Sequence, residues 1–206
     1  MRIVAGEFRS RLLVAPRGLA TRPTTDRLRE TLFNVLQPRM EGTRFLDLYA
    51  GSGGNGLEAL SRGAVEAVFV EQAGPALEAL RKNVAALGVE SRVRVEGLAV
   101  SRWLGNAVRA AEVRTCGLVF LDPPYEAARE YEETLGLLGG VGQALLAPDG
   151  LVAVEHRRVR AAGGRQRAGA VAAYAPAEAY GGLRRTRVLE QGDAALSFYA
   201  LRNPTD

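Results

Sequence analysis

The stretch Phe45-Leu46-Asp47-Leu48-Tyr49-Ala50-Gly51-Ser52-Gly53-Gly54-Asn55-Gly56 decides how this chain is to be read. Phe45, Leu46, Leu48 and Tyr49 predict a short apolar strand, and the glycines predict a tight turn after it. Leu57-Glu58-Ala59-Leu60-Ser61-Arg62 then predicts a helix. Gly51, Gly53 and Gly56 satisfy a G-x-G-x-x-G spacing in the strand–turn–helix setting that the pattern requires. Glycine lets backbone approach a ligand closely and take positive φ without a Cβ penalty. Alone, the pattern serves many nucleotide-type ligands.

Two carboxylates narrow the choice. Asp47 lies inside the strand, four residues before Gly51, where a dinucleotide-binding strand would be apolar. It suits a ligand with a positive end better than a pyrophosphate seated on a helix N-terminus. The next strand, Ala67-Val68-Phe69-Val70, runs into Glu71, at the spacing where an acid grips ribose hydroxyls. A cationic amino-acid end joined to a ribose describes S-adenosylmethionine. Read as local structure alone, Asp47 would be a solvated strand-end acid and Glu71 an acid near a helix N-cap.

Outward from this unit, strands and helices alternate. Pro75 to about Leu87 predicts a helix with Gly88 as its C-cap. Arg92 to Glu96 predicts a third strand, and Trp103 to Ala111 a helix. Gly117-Leu118-Val119-Phe120-Leu121-Asp122 is a continuous apolar run, as expected of a central strand buried on both faces. A helix over roughly Arg129 to Leu146, weakened at Gly139-Gly140, precedes a turn at Pro148-Asp149-Gly150 and a strand over Leu151 to Glu155. Residues 156–182 are Arg-, Ala- and Gly-rich, with some strand expected around Val171 to Tyr174. Arg185 to Leu189 and Ala195 to Tyr199 form a hairpin about Gln191-Gly192-Asp193.

On the N-terminal side, residues 2–19 read as a small β-hairpin with arginines on one face. A helix follows over Asp26 to Leu36, capped by Thr24 or Thr25 and striped with Leu28, Leu32, Val35 and Leu36. The expected fold is α/β: a doubly wound, mostly parallel sheet with a terminal antiparallel hairpin, plus a small N-terminal hairpin and helix. Residues 1–206 are read as one domain, with 1–40 an extension and 41–206 the core.

No apolar run approaches the roughly 18 residues that a membrane helix needs. The N-terminus lacks the apolar centre of a signal peptide, so a cytoplasmic protein is expected. One cysteine and one histidine leave no zinc set, and no metal is expected. Charge is unevenly spread: residues 1–45 carry nine Arg against four acids, and Arg157 to Arg167 holds five Arg and no acid. Such patches can steer an anionic partner such as nucleic acid. They are also what a solvated, Arg-biased surface would look like, since 26 of the 27 basic residues are Arg.

The chemistry is carried by Asp122-Pro123-Pro124-Tyr125 at the end of the fourth strand. Open α/β sheets bind ligands beyond the carboxyl ends of their strands, so this tetrapeptide is expected beside the glycine turn. Two prolines cannot donate backbone hydrogen bonds and hold the chain extended. That leaves the Asp122 carboxylate and the Pro123 carbonyl as acceptors, and Tyr125 as a ring on which a base can stack. An exocyclic amine on a nucleobase is a poor nucleophile because its lone pair is delocalised. Two acceptors gripping its hydrogens aim the lone pair at a methyl sulfonium and stabilise the charge that builds on nitrogen. As plain structure, the tetrapeptide would be a strand ending in a rigid turn.

The chain resembles the class I S-adenosylmethionine-dependent methyltransferases, whose amino-group members carry a D/N-P-P-Y/F/W signature. More closely, RPTTDRLRETLFNVL, FLDLYAGSGGNGLEALSRGA, LVFLDPPY and LAPDGLVAVEH resemble the RsmD family, from residue 1 to about 156. That resemblance implies a Rossmann-like fold and methylation of a guanine exocyclic amine in 16S ribosomal RNA. The expected partner is that RNA, within a partly assembled small subunit, and the protein is expected to be a monomer. It implies Asp47, Gly51, Gly53 and Glu71 around S-adenosylmethionine, and Asp122, Pro123, Pro124 and Tyr125 holding the amine. Arg22, Thr24 and Arg29 fall in the matching N-terminal block, where one of them would meet the methionine carboxylate. The same block read locally is a capped helix with exposed arginines. Arg9, Arg11 and Arg22 are the expected RNA contacts.

Some positions depart from the family pattern. Leu98 stands where an acid usually contacts the adenine, and Asn55 where a small apolar residue is usual. Adenine methylation on RNA or DNA uses the same tetrapeptide, and an RNA-binding assembly factor could keep the fold without the reaction. A nicotinamide-dependent reductase fits poorly because of Asp47. Cys116 is expected to be a buried structural thiol and His156 an exposed strand-end residue.

Overall fold

The computed structural model describes residues 1–16, 26–110, 115–159 and 174–202. Five strands lie parallel: β1 (Arg44–Leu48), β2 (Glu66–Val70), β3 (Val93–Glu96), β4 (Cys116–Leu121) and β5 (Leu146–Arg157). β6 (Ala179–Tyr180), β7 (Leu183–Gln191) and β8 (Ala194–Leu201) complete one eight-stranded sheet in the order β3-β2-β1-β4-β5-β8-β7-β6. β8 runs antiparallel between β5 and β7, so the chain ends as the expected hairpin, with Gly192 at φ +62 in its turn.

Alternation along the strands decides the layers. Phe45, Phe69, Phe120 and Phe198 point to one face, covered by α1 (Asp26–Leu36), α2 (Gly54–Ser61), α3 (Gly74–Leu87) and the N-terminal segment. Leu46, Leu48, Val70, Leu121 and Val154 point to the other, covered by α4 (Val100–Arg109) and α5 (Ala128–Gly139). The result is the doubly wound three-layer fold expected from the sequence. In α1 the buried stripe is Leu28, Leu32, Phe33 and Leu36, with Val35 only half-buried. Phe33 stacks on Phe45 of β1 with centroids 6.1 Å apart.

Several boundaries differ from expectation, each for a local reason. The N-terminal hairpin reduces to a single bridge between Arg2 and Leu12. The N–H groups of Val4 and Ala5 turn instead to the Glu58 carboxylate of α2, at 2.7 and 3.0 Å. α5 stops at Gly139, because Gly140 leaves the helical region with φ −104 and ψ −117, while Gly139 packs against the backbone of Tyr180, where a side chain could not fit. A short 3-10 turn over Val141–Leu145 follows. Pro148-Asp149-Gly150 does not precede β5 but lies within it, as a bulge opposite Gly117. α4 begins at Val100 and α2 at Gly54, three residues earlier than the periodicity indicates in each case. Thr24, Thr25 and residues 171–173 of the strand expected around Val171 to Tyr174 fall outside the described residues, and Tyr174 is not in a strand. Among the described residues no helix is long and apolar enough to cross a membrane.

Candidate active site

β1 and β4 are neighbours, while the connections that follow them leave in opposite directions across the sheet. A crevice forms beyond the carboxyl ends of strands at such a reversal. Leu48 pairs with Leu121, so the glycine turn and Asp122 begin side by side.

The turn is built by unusual backbone. Gly51 and Gly53 take φ +55 and +85, and Tyr49, which has a side chain, takes φ +61. A non-glycine residue held there costs about 1–3 kcal/mol and persists only where its surroundings fix it. Here the Tyr49 hydroxyl is tied to Thr134 Oγ1 of α5 at 2.8 Å. The two glycines do different work. A side chain on Gly51 would enter open space, which makes this the side available to a ligand. A side chain on Gly53 would strike Leu80, so Gly53 serves the packing of α2 and α3.

Asp47 and Glu71 hold this turn from below and from the side. Asp47 is 1% exposed, and its Oδ2 accepts the Gly56 N–H at 2.8 Å. The sequence reading of Asp47 as a strand-end group facing a charged ligand is thus revised: it lies beneath the turn. Burial pushes its carboxyl up to about 8, against the Gly56 bond, which lowers it, and with the charge of Glu71 adding to the rise. Glu71 is half-buried and accepts the N–H groups of Gly51 (2.8 Å) and Ala73 (2.7 Å). Each of its oxygens keeps a second lone pair, so the group can still receive a diol. Leu98 is half-buried in the bend between β3 and α4.

On the β4 side, Asp122 and Tyr125 are half-buried, Pro123 is buried and Pro124 exposed. The Pro123 carbonyl, expected as a bare acceptor, already receives the hydroxyl of Tyr131 at 3.1 Å. The same hydroxyl lies 3.1 Å from the carbonyl of Glu155 at the end of β5. Tyr125 donates its own hydroxyl to Glu155 Oε1 at 2.8 Å, which fixes the ring. Burial, with the charge of Asp122 next, raises the Tyr131 pKa, so its hydroxyl stays protonated and donating.

The remaining expected residues are placed as follows. Arg29 is buried, and its Nη2 donates to Asp26 (2.6 Å) and to the Arg2 carbonyl (2.7 Å), while Nε lies 3.9 Å from Glu58. It sits next to Gly54 at the start of α2, holding the N-terminal segment on that helix. Arg22 and Thr24 fall outside the described residues. Arg9 and Arg11 are exposed on the N-terminal segment, with Arg11 reaching the Ala86 carbonyl at 2.8 Å. His156 is not exposed but 5% accessible: β8 pairs across it, and Ser197 Oγ meets its Nε2 at 2.9 Å. Burial lowers its pKa. Cys116 is buried, as expected, and burial pushes its thiol up to about 11. Among the described residues no cluster of His, Cys, Asp and Glu could hold a metal.

Sequence reasoning missed Tyr131, Thr134, Glu155 and Asn83. Asn83 of α3 donates to the Ser52 carbonyl of the glycine turn (2.9 Å) and pairs in both directions with the backbone of Val14. It was visible only as a polar residue within the apolar stripe Ala76, Ala79, Leu80 and Val84.

The family model described as Conserved hypothetical protein 95, that of the RsmD-type methyltransferases, matches residues 1–167. The chain belongs to the RsmD family. Among curated relatives, Ribosomal RNA small subunit methyltransferase D of Escherichia coli K12 is 40% identical over 155 residues, spanning 75% of this chain and 74% of its own. YlbH of Bacillus subtilis, which carries an rRNA methyltransferase name, is 38% identical over 160 residues, 77% of this chain and 83% of its own. Among solved structures, yhhF of Escherichia coli superposes with a TM-score of 0.73 at 32% identity, covering 98% of both chains. This RsmD-family chain has the class I methyltransferase fold, and both halves of its crevice fall within the matched residues.

Proposed function

We propose that this chain transfers a methyl group from S-adenosylmethionine to the exocyclic 2-amino group of a guanine in 16S ribosomal RNA. The observation that carries this reading is the pairing of Leu48 with Leu121, which sets the Gly51–Glu71 corner beside Asp122-Pro123-Pro124-Tyr125. Relatives named as ribosomal RNA methyltransferases over three quarters of the chain support the RNA class of substrate.

The cofactor supplies an electrophilic methyl on a sulfonium. Gly51 offers it an unobstructed backbone, and Glu71 offers carboxylate lone pairs to the ribose hydroxyls. Asp47 works indirectly, by clamping the first turn of α2 under the glycines. Asp122 accepts one amine hydrogen of the flipped base, and the Pro123 carbonyl offers its second lone pair to the other. The amine lone pair would then be directed at the methyl; as the N–C bond forms the methyl–sulfur bond would break, leaving a neutral thioether, and Asp122 would meet the charge on nitrogen and accept the proton it sheds. Tyr125, fixed by Glu155, gives the base a face to stack on. Leu98 gives the adenine an apolar neighbour in place of a carboxylate. Arg9 and Arg11 hold the RNA backbone, and the substrate is a partly assembled subunit.

The test is methyl transfer to small subunits taken from cells lacking this activity, followed by nucleoside analysis of the RNA. N2-methylguanosine is the expected product. N6-methyladenosine would move the assignment to an adenine enzyme, and no product with S-adenosylmethionine bound would indicate a binding factor.

A further inference from the structure

The two halves of the crevice come from different strands, and one helix touches both. Tyr131 and Thr134 stand three residues apart on the buried face of α5, the first fully buried and the second 1% exposed. Thr134 Oγ1 meets the Tyr49 hydroxyl in the segment that opens the glycine turn. Tyr131 meets the Pro123 carbonyl within the tetrapeptide, and the Glu155 carbonyl behind it. The ring of Tyr131 is also stacked on that of Tyr174, with centroids 4.8 Å apart. A threonine on a buried helical face ordinarily turns its hydroxyl to the carbonyl one turn back. This one is spent on another element, at a residue whose backbone is in the left-handed region.

We infer that Tyr131 and Thr134 are positioning residues, which use α5 as a rigid spacer to set the distance between the methyl-donor bed and the amine bed. The inference rests on the methyl-transfer reading above. Neither hydroxyl need touch a substrate. Each fixes one bed to the same helical turn, so the two beds cannot drift independently. Methyl transfer depends on in-line approach, and a displacement of about 1 Å can cost on the order of a hundredfold in rate.

The experiment removes only the hydroxyls. Tyr131→Phe and Thr134→Val are compared with wild type for kcat, KM for RNA, and Kd for S-adenosylmethionine by calorimetry. Each variant is expected to lose about tenfold or more in kcat while Kd and KM hold within about twofold. Thr134→Ser, which keeps the hydroxyl, is expected to recover wild-type kcat. A purely structural role would lower the melting temperature and leave kcat of the folded enzyme alone, and that result overturns the inference. So would a loss confined to Kd or KM. If Thr134→Val fails to fold, Tyr49→Phe breaks the same contact from its other end and is held to the same criterion. A wild-type enzyme that methylates no RNA removes the methyl-transfer reading itself. An active wild type with active hydroxyl variants removes this inference only.

Discussion

On the methyl-transfer reading proposed above, Asp122 and Glu71 serve different halves of the reaction, and a substitution at Asp122 tests that separation. Asp122→Ala should abolish turnover, by roughly a thousandfold or more if it carries the nitrogen charge, while calorimetry finds cofactor affinity near wild type. Loss of both would mean that Asp122 holds the cofactor site together. Asp47 supports a prediction of another kind. Its carboxyl is held up to about 8 from an ordinary 3.8, so across that window the folded protein keeps a proton that the unfolded chain releases. The contribution of Asp47 to stability therefore falls as pH rises between those values. Asp47→Asn removes this term while still able to accept the Gly56 N–H. Its stability relative to wild type should grow between about pH 5 and pH 8, by on the order of a few kcal/mol. A difference that does not change with pH in denaturant titrations would return Asp47 to an ordinary carboxylate. At this scale the sequence was informative about placement: Gly51, Glu71 and Asp122-Pro123-Pro124-Tyr125 follow adjacent strands, as their local motifs led one to expect. It was silent on Tyr131 and Asn83, whose partners lie 24 and 69 residues away, because no local pattern marks a distant acceptor.

The elements were legible wherever one period dominated. β1, β2 and β4 are apolar runs, and α1 and α3 carry clear stripes, so their order and the parallel sheet followed. The N-terminal hairpin is shorter than expected: Ile3, Ser10 and Leu13 still bond across it, but the N–H groups of Val4 and Ala5 are taken by Glu58 of α2. Glu58 is fully buried, accepts from Val4, Ala5 and Arg62, and lies beside the buried Arg29. Removing one partner of a buried charge cluster costs about 3–5 kcal/mol. Glu58→Ala should lose stability of that order in urea titrations and expose residues 1–14 to protease. A change under about 1 kcal/mol would mean that the N-terminal segment is held by its apolar contacts alone. α5 ends earlier than expected because Gly140 turns out of the helix, and Gly139 before it packs on Tyr180, a residue of a strand the sequence hardly marks.

For the molecule as a whole, the proposed RNA substrate makes the distribution of arginine the feature to test. If Arg9 and Arg11 contact phosphates, replacing both with Ala should weaken RNA binding and lower the log–log salt slope by about 1.4–1.8. Cofactor affinity should not change, since both side chains are exposed on the N-terminal segment. An unaltered slope would move the RNA interface elsewhere, with the exposed Arg184 and Arg187 of β7 the next to replace. Composition showed the excess of arginine but could not show which arginines are spent internally. Arg29 and Arg44 are, through Asp26 and Glu66.

Cys116 opens β4, the strand whose far end delivers Asp122. It is the chain's single thiol. Shielded and held protonated, it is invisible to alkylating reagents until that strand comes away from its neighbours. The protein therefore carries its own reporter: at a fixed pH, the rate at which iodoacetamide marks one sulfur follows how often that end of β4 opens, with no label engineered in.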